Sequence, residues 1–129
     1  MVNWVLALDV GTKKTGIAVG QSFTGTATYL PVIKKAVDKL SAADFVDIAK
    51  EWRVNKILIG FPTLADGKAH PLEKNILRLK EEFINYGFEV VLVPEYLTSY
   101  EAKKRFPKLK NFDSVAAGIM IEDYFNSLF

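Results

Sequence analysis

The chain has 129 residues, half of them apolar and a quarter charged, and this balance excludes a mostly disordered protein. It has no cysteine and a single histidine, which excludes disulfides, zinc–thiolate sites and multi-histidine metal sites. Any metal must therefore be held by oxygen ligands, the kind that magnesium and manganese prefer. The formal net charge of +2 is weak evidence for a nucleic-acid partner.

The length fits one domain over residues 1–129. No apolar run approaches the ~20 residues that span a bilayer. The first residues lack the basic start and small-residue cleavage site of a signal peptide. We therefore expect a cytoplasmic protein with no membrane contact. The sequence leaves the oligomeric state open.

Three strands open the predicted fold. Residues 4–10 form a nearly continuous apolar run that ends at Gly11-Thr12, which is typical of a strand buried on both faces. Residues 15–20 predict a second strand, and the short link before it favours an antiparallel hairpin. A third strand is predicted at 26–33. The first part of the sheet is therefore expected to be an antiparallel meander.

Helices and strands then alternate. Ser41 opens a helix in which Asp44 can stand in for the glutamate of a capping box, and an apolar stripe follows at Phe45, Ile48, Ala49 and Trp52. Pro71 suits the first turn of a second helix, and Gly87 suits its end. The remaining predicted elements are strands at 56–60 and 88–93, a short helix at 98–107 and a last helix at about 112–128. The order predicts an α/β fold: a mixed five-stranded sheet, antiparallel then parallel, flanked by helices, which is typical of ribonuclease-H-like domains.

Three acidic residues lie in apolar surroundings. Asp9 is near the carboxyl end of the first strand, and Glu95 directly follows the fifth, where open α/β sheets place ligands. Asp113 shares a helical stripe with Ala117 and Met120, so it is predicted to face the core. Each residue alone also has an ordinary explanation: a turn aspartate, a loop glutamate and an acid at a helix start. Together they predict a carboxylate cluster that binds magnesium.

The order of short motifs resembles that of the YqgF/RuvX family of pre-16S rRNA nucleases and Holliday junction resolvases. The motifs that carry this resemblance are LDVGTK at 8–13 with GIAV at 16–19, GFP at 60–62 with DG at 66–67, EYLTS at 95–99, and DSVAA at 113–117. The resemblance covers nearly the whole chain. It implies a ribonuclease-H-like fold, Asp9, Glu95 and Asp113 as catalytic metal ligands, Mg²⁺ or Mn²⁺ as cofactor, and a structured RNA or branched DNA substrate in bacterial cytoplasm, with ribosomal particles as a further partner.

The chain departs from the family pattern beside Glu95. The family's Asp-Glu-Arg is Pro94-Glu95-Tyr96 here, which removes one acid and one forked phosphate-binding donor. Tyr96 can stack on a base or simply pack. These two changes affect residues expected to bind the substrate, and they leave the three predicted metal-binding acids unchanged.

Several residues are candidates for contacts with nucleic acid. The Gly11-Thr12-Lys13-Lys14 turn can contact a backbone phosphate, and so can Lys103, Lys104 and Arg105 in the predicted short helix. Tyr96 and Thr98 complete this set. A further lysine cluster comprises Lys34, Lys35 and Lys39. A solvated surface explains each cluster when it is taken alone.

The sequence leaves two other classes of function open. The Asp-Val-Gly-Thr turn also resembles the first phosphate motif of actin-like ATPases and sugar kinases, but those proteins bind ATP between two lobes and this chain has room for one. The other class is a nucleic-acid-binding or ribosome-associated module with feeble catalysis, which the altered segment around Tyr96 favours.

Overall fold

The computed structural model describes residues 4–22, 27–62, 70–94 and 112–128. These ranges contain five strands and three helices. The strands are β1 (Trp4–Val10), β2 (Thr15–Gln21), β3 (Ala27–Ile33), β4 (Lys56–Phe61) and β5 (Glu89–Pro94), and the helices are α1 (Ala43–Glu51), α2 (Glu73–Asn85) and α3 (Phe112–Leu128). In this part of the chain, no helix is both long enough and apolar enough to cross a membrane.

The five strands form one sheet in the order β3-β2-β1-β4-β5. β1 is central, pairing antiparallel with β2 on one side and parallel with β4 on the other. β3 extends the antiparallel part and β5 extends the parallel part. The mixed sheet predicted from the sequence is confirmed. The carboxyl ends of β1, β3, β4 and β5 all lie at one edge of the sheet, together with the start of β2.

Alternate residues of the sheet pack against different helices, because successive side chains in a strand point to opposite faces. Leu6, Leu8 and Val10 of β1 pack in the same cluster as the buried residues of α1 and α2. Val5 and Ala7 pack instead with the apolar residues of α3. Two separate cores therefore cover the two faces of the sheet, and α3 covers its face without help from the other two helices.

The ends of the helices refine the sequence predictions. The prediction that Ser41 opens α1 is wrong by two residues, since the helix begins at Ala43. The Ser41 backbone N–H donates to Asp44 Oδ2 at 2.9 Å, which is one half of the predicted capping box, but no side chain caps the helix at its N-cap residue, Ala42. Trp52 lies just past the end of α1, with its ring 5.8 Å from that of Trp4. The prediction that Pro71 lies in the first turn of α2 is wrong by two residues. The helix begins at Glu73, because a turn at residues 70–72 precedes it.

Both α1 and α2 end in the same hydrogen-bonded motif. Gly87 has φ +94°, and the Phe88 N–H donates to the Phe83 carbonyl at 3.1 Å, as expected of a Schellman ending. At the end of α1, Arg53 takes the glycine position with φ 55°, and the Val54 N–H closes the motif. A non-glycine residue in this left-handed conformation costs about 1–2 kcal/mol. The sequence pattern gives no signal for it, because glycine is absent.

α3 approaches the sheet through small residues. Ala18 of β2 and Ala7 of β1 are paired neighbours beneath it, and Ala117 of the helix is fully buried. At Gly118 the contact is closer still, because a Cβ atom there would lie 2.2 Å from Cε1 of Tyr29 in β3. Gly118 is therefore required by the position of the Tyr29 ring.

We predict that the cost of a side chain at position 118 depends on Tyr29. Gly118→Ala should lower the free energy of unfolding by about 1–2 kcal/mol, because overpacking outweighs the better helix propensity of alanine. In a Tyr29→Ala background the same change should raise it by about 0.5–1 kcal/mol, the ordinary helix-propensity gain. Urea unfolding of the four proteins measures both changes. An equal effect of Gly118→Ala in the two backgrounds would contradict this contact.

Candidate active site

Asp9 is the buried acid of the described sheet. It lies one residue before the end of β1, and only 7% of its surface is exposed to solvent. Because Asp9 has the same strand parity as Val5 and Ala7, its side chain is on the face that α3 covers. A charge at this position is costly unless a partner or a cation compensates it. The prediction that Asp9 lies in the apolar surroundings of a buried strand is therefore confirmed.

The strands on either side of Asp9 carry glycine at its level. Gly16 of β2 is its direct register partner. On the other side, Leu8 pairs with Ile59, so the next step of the parallel register brings Gly60 of β4 beside Asp9. Neither neighbour has a side chain on this face, so neither strand places a side chain directly beside the carboxylate. Both glycines are in the quoted motifs, but the sequence alone does not show that they flank the same residue.

α3 begins at the same level as Asp9. At the far end of the helix, the Tyr124 hydroxyl is hydrogen-bonded to Nζ of Lys56, the first residue of β4, so the helix runs back along the sheet from there toward its first turn. Asp113 lies eleven residues before Tyr124, about 16 Å along the helix. Asp9 lies four residues beyond Val5, the register partner of Lys56, or about 13 Å along β1.

The contact between Gly118 and Tyr29 also shows that the start of α3 is level with Asp9. Gly118 lies over Tyr29, which is level with Ala18 and Ala7 across the sheet. Asp113 is five residues, or about 7 Å, before Gly118 along the helix, and Asp9 is two residues, or about 7 Å, beyond Ala7 along β1. The first turn of α3, which contains Asp113, is thus level with the carboxyl end of β1.

The other predicted site residues lie outside the described residues. They are Glu95, Tyr96, Thr98, Lys103, Lys104 and Arg105. The described chain reaches Pro94, the last residue of β5, which pairs with Phe61 at the same sheet edge as Asp9. Among the described side chains, no three acidic or histidine residues come together to hold a metal ion.

A tight hairpin follows Asp9. The Gly11 N–H donates to the Lys14 carbonyl at 2.9 Å, and a Cβ atom at residue 11 would lie 2.8 Å from that oxygen. Thr12, Lys13 and Lys14 are exposed at the tip. Glycine is required here by the turn itself. The predicted phosphate-contacting turn is therefore a fixed loop beside the buried carboxylate.

The connection from β3 to α1 is fastened to this hairpin. The Val37 N–H donates to the Thr12 carbonyl at 3.0 Å, and Nη2 of Arg78 in α2 donates to the Val37 carbonyl at 3.0 Å. Lys35 Nζ lies 2.8 Å from Asp44 Oδ1 at the start of α1. No local sequence pattern predicts the two bonds of Val37, because they join the connection to the β1–β2 hairpin and to α2, which are far away along the chain.

Thr15 carries a buried hydroxyl on the opposite face of the sheet from Asp9. Its residue is fully buried, and its Oγ1 atom has no hydrogen-bond partner among the described residues. Because Thr15 has the parity of Ile17 and Val19, it belongs to the core beneath α1 and α2. It is therefore not a ligand for a cation beside Asp9.

The chemistry of this site fits a divalent cation. The candidate ligands, Asp9, Glu95 and Asp113, offer oxygen atoms only, as magnesium and manganese prefer. Asp9 is buried, has glycine neighbours on both sides and lies level with the first turn of α3. Burying a carboxylate is costly unless it is paired or coordinates a cation.

Comparison with known proteins decides the family. The sequence model of the RuvX family, described as "Holliday junction resolvase", matches residues 3–127. A curated relative from Escherichia coli O157:H7, named "Putative pre-16S rRNA nuclease", is 36% identical over 135 aligned positions, which cover 97% of each chain. The chain belongs to the RuvX family. The resemblance inferred from the motifs is thereby confirmed.

Solved structures place this RuvX family member in the ribonuclease-H-like fold. The fowlpox virus resolvase in complex with Holliday junction DNA matches with a TM-score of 0.60 at 15% identity, covering 100% of this chain and 99% of the other. Thermus thermophilus RuvC in complex with a Holliday junction substrate matches with a TM-score of 0.60 at 12% identity, covering 98% and 95%. At these identities the likeness shows the fold alone, and the predicted fold class is confirmed.

The Lys35–Asp44 contact predicts a pH dependence of stability. Burial raises the pKa of Asp44, but the hydrogen bonds from Lys35 and Ser41 and the charge of Lys35 outweigh it, so the pKa lies below the ordinary 3.8. A lowered folded-state pKa stabilises the protein above the unfolded-state value, and the gain is lost as pH falls through the folded-state value. Asp44→Asn should therefore lower the free energy of unfolding by about 1 kcal/mol at neutral pH and by less at about pH 3.

Urea unfolding of Asp44→Asn and the parent at the two pH values measures this difference. Asp47→Asn is the matched control, because Asp47 is exposed on the same helix. It should change stability little at either pH. An equal loss for Asp44→Asn at both pH values would show that the charge of Asp44 does not stabilise the fold.

Proposed function

We propose that this chain is a metal-dependent nuclease that hydrolyses phosphodiester bonds in the precursor of 16S ribosomal RNA. The observation that carries the proposal is the placement of Asp9: a buried carboxylate at the carboxyl edge of the sheet, between two glycine positions and level with the start of α3. Family membership and the name of the E. coli relative support the reaction and the substrate.

In this proposal Asp9, Glu95 and Asp113 hold one or two Mg²⁺ or Mn²⁺ ions. Asp9 is fixed in the central strand, Glu95 directly follows β5, and Asp113 is the second residue of α3. These three elements end or begin at one edge of the sheet. The cation, when bound, supplies positive charge to the phosphate that is cleaved.

The remaining residues of the site bind and position the substrate. Residues 12–14 are exposed at the tip of the hydrogen-bonded hairpin that follows Asp9, so the backbone amides of this tip and Lys13 suit a phosphate of the substrate strand. Tyr96, Thr98, Lys103, Lys104 and Arg105 are proposed to grip the strand on the side of Glu95. Work on a ribosomal RNA precursor would place the protein in the cytoplasm with ribosomal particles as partners.

A Holliday junction resolvase is the second candidate. The description of the family model and the fold shared with two resolvases favour it. Both candidates use the same acidic site, so they differ in the nucleic acid that reaches it. The third possibility is a nucleic-acid-binding module with feeble catalysis, in which binding does not depend on Asp9.

The first experiment measures cutting. Wild-type protein, Asp9→Asn and the control Asp47→Asn are incubated with labelled pre-16S rRNA fragments, unrelated single-stranded RNA and a four-way DNA junction, in Mn²⁺ and in EDTA. We expect wild type and Asp47→Asn to cut the rRNA precursor in Mn²⁺ alone. Asp9→Asn should be at least about 100-fold slower, since a ligand worth about 3 kcal/mol to the transition state is lost.

The same proteins give a readout that does not depend on activity. At a Mn²⁺ concentration about 100 times the dissociation constant, binding adds about 2.7 kcal/mol of stability, or roughly 10 °C in Tm for a domain of this size. Wild type and Asp47→Asn should show this shift, and Asp9→Asn should not. Two results together would contradict the nuclease proposal: RNA is bound but not cut, and Mn²⁺ shifts Tm equally in all three proteins. The nucleic-acid-binding module would then be the remaining candidate.

A further inference from the structure

Three lysines lie in the connections that follow β1 and β3 at the carboxyl edge of the sheet. Lys13 is at the tip of the β1–β2 hairpin, Lys34 follows the last residue of β3, and Lys39 lies in the connection to α1. All three are exposed. We call this set the lysine rim. The sequence marks Lys34 and Lys39 only as part of a lysine cluster that a solvated surface also explains.

The segment that carries Lys34 and Lys39 is attached to the rest of the fold by buried side chains and by hydrogen bonds. Val37 and Leu40 are buried, at 8% and 1% exposure, between the two lysines and the core. The Val37 N–H and carbonyl are bonded to Thr12 and Arg78, and the Leu40 N–H donates to the Val37 carbonyl at 3.3 Å. A loop that exists only to connect β3 to α1 does not need these long-range bonds. They keep the lysines beside the hairpin.

Acidic partners do not neutralise the rim within the described residues. Lys35, in the same segment, is paired with Asp44 at 2.8 Å, whereas Lys13, Lys34 and Lys39 make no ion pair there. Asp38 is the one acid between Lys34 and Lys39. The nearby Glu82 lies 2.8 Å from Arg78. The rim thus carries net positive charge, which suits a polyanion.

We propose that the lysine rim binds the sugar–phosphate backbone of the substrate strand, several nucleotides from the bond that is cut beside Asp9. This rests on the proposed nuclease function. Lys34 follows Ile33, which pairs with Thr15, so Lys34 is two strands from β1, or about 10 Å. Phosphates on one strand of a duplex are spaced about 3.4 Å along the axis, so this distance is about three nucleotides.

The rim therefore defines the direction in which the substrate crosses the protein. The strand leaves the cleavage site over the hairpin, passes the end of β3 and continues toward α1. A contact with the sugar–phosphate backbone does not discriminate between base sequences, so both RNA and DNA can make it. It also gives the chain a positive surface independent of Tyr96 and the residues that follow it.

The test measures the salt dependence of binding with and without the rim. Lys34→Gln/Lys39→Gln is compared with Lys50→Gln/Arg53→Gln, both in an Asp9→Asn background with EDTA so that nothing is cut. Lys50 and Arg53 are exposed at the end of α1, at the opposite edge of the sheet, and their removal changes the net charge equally. The probes are a labelled pre-16S rRNA fragment that is single-stranded and a four-way DNA junction.

We expect the rim variant to flatten the slope of log affinity against log salt by about 1.4 on single-stranded RNA, or about 1.8 on duplex arms, because two phosphate contacts are lost. The control should keep the parent slope. Equal slopes in all proteins, equal changes in both variants, or no salt-dependent binding by the parent would each overturn the proposal. A change confined to the DNA junction or to RNA identifies which substrate the rim holds.

Failure of the rim and failure of the nuclease are distinguishable. If wild type cuts the rRNA precursor and the slopes are equal, the rim is wrong and the nuclease stands. If wild type cuts nothing and only the rim variant has a flatter slope, the binding surface stands and the nuclease is wrong.

Discussion

The close packing of α3 on the small-residue face of β1 and β2 is the constraint on which the candidate site depends. Ala7, Ala18 and Gly118 let the helix approach the sheet, and the Tyr29 ring fixes where Gly118 lies. This contact sets the level of the first helical turn against the carboxyl end of β1. A larger residue at any of these small positions would move the start of the helix away from Asp9.

The two faces of the sheet bury different kinds of residues. Among the described residues, the face under α1 and α2 buries the larger apolar core. The face under α3 has a smaller core, and toward the carboxyl edge it changes to Asp9 with glycine at either side. The buried charge of Asp9 is thus confined to one end of a well-packed sheet.

Much of the fold follows from the sequence, because its patterns are local. Apolar runs and helical stripes predicted every described strand and helix to within three residues, and the Ser41 N–H donates to Asp44 as expected. The exact starts of α1 and α2 and the left-handed Arg53 were missed, because turns and a hydrogen-bonded helix end override residue preferences there. The alignment of Asp9 with the start of α3, and the bond between Val37 and Thr12, depend on tertiary packing that no local pattern encodes. The predicted roles of Glu95 and Asp113 remain predictions.

The central claim is that Asp9 and the start of α3 form one divalent-cation site. A crystal structure of the protein with Mn²⁺, examined by the anomalous scattering of the metal, tests it most directly. We predict an anomalous peak at coordination distance, about 2.1 Å, from a carboxylate oxygen of Asp9, with a carboxylate oxygen of Asp113 as a second ligand. A peak at another part of the protein, or none at Asp9 at saturating Mn²⁺, would contradict the account.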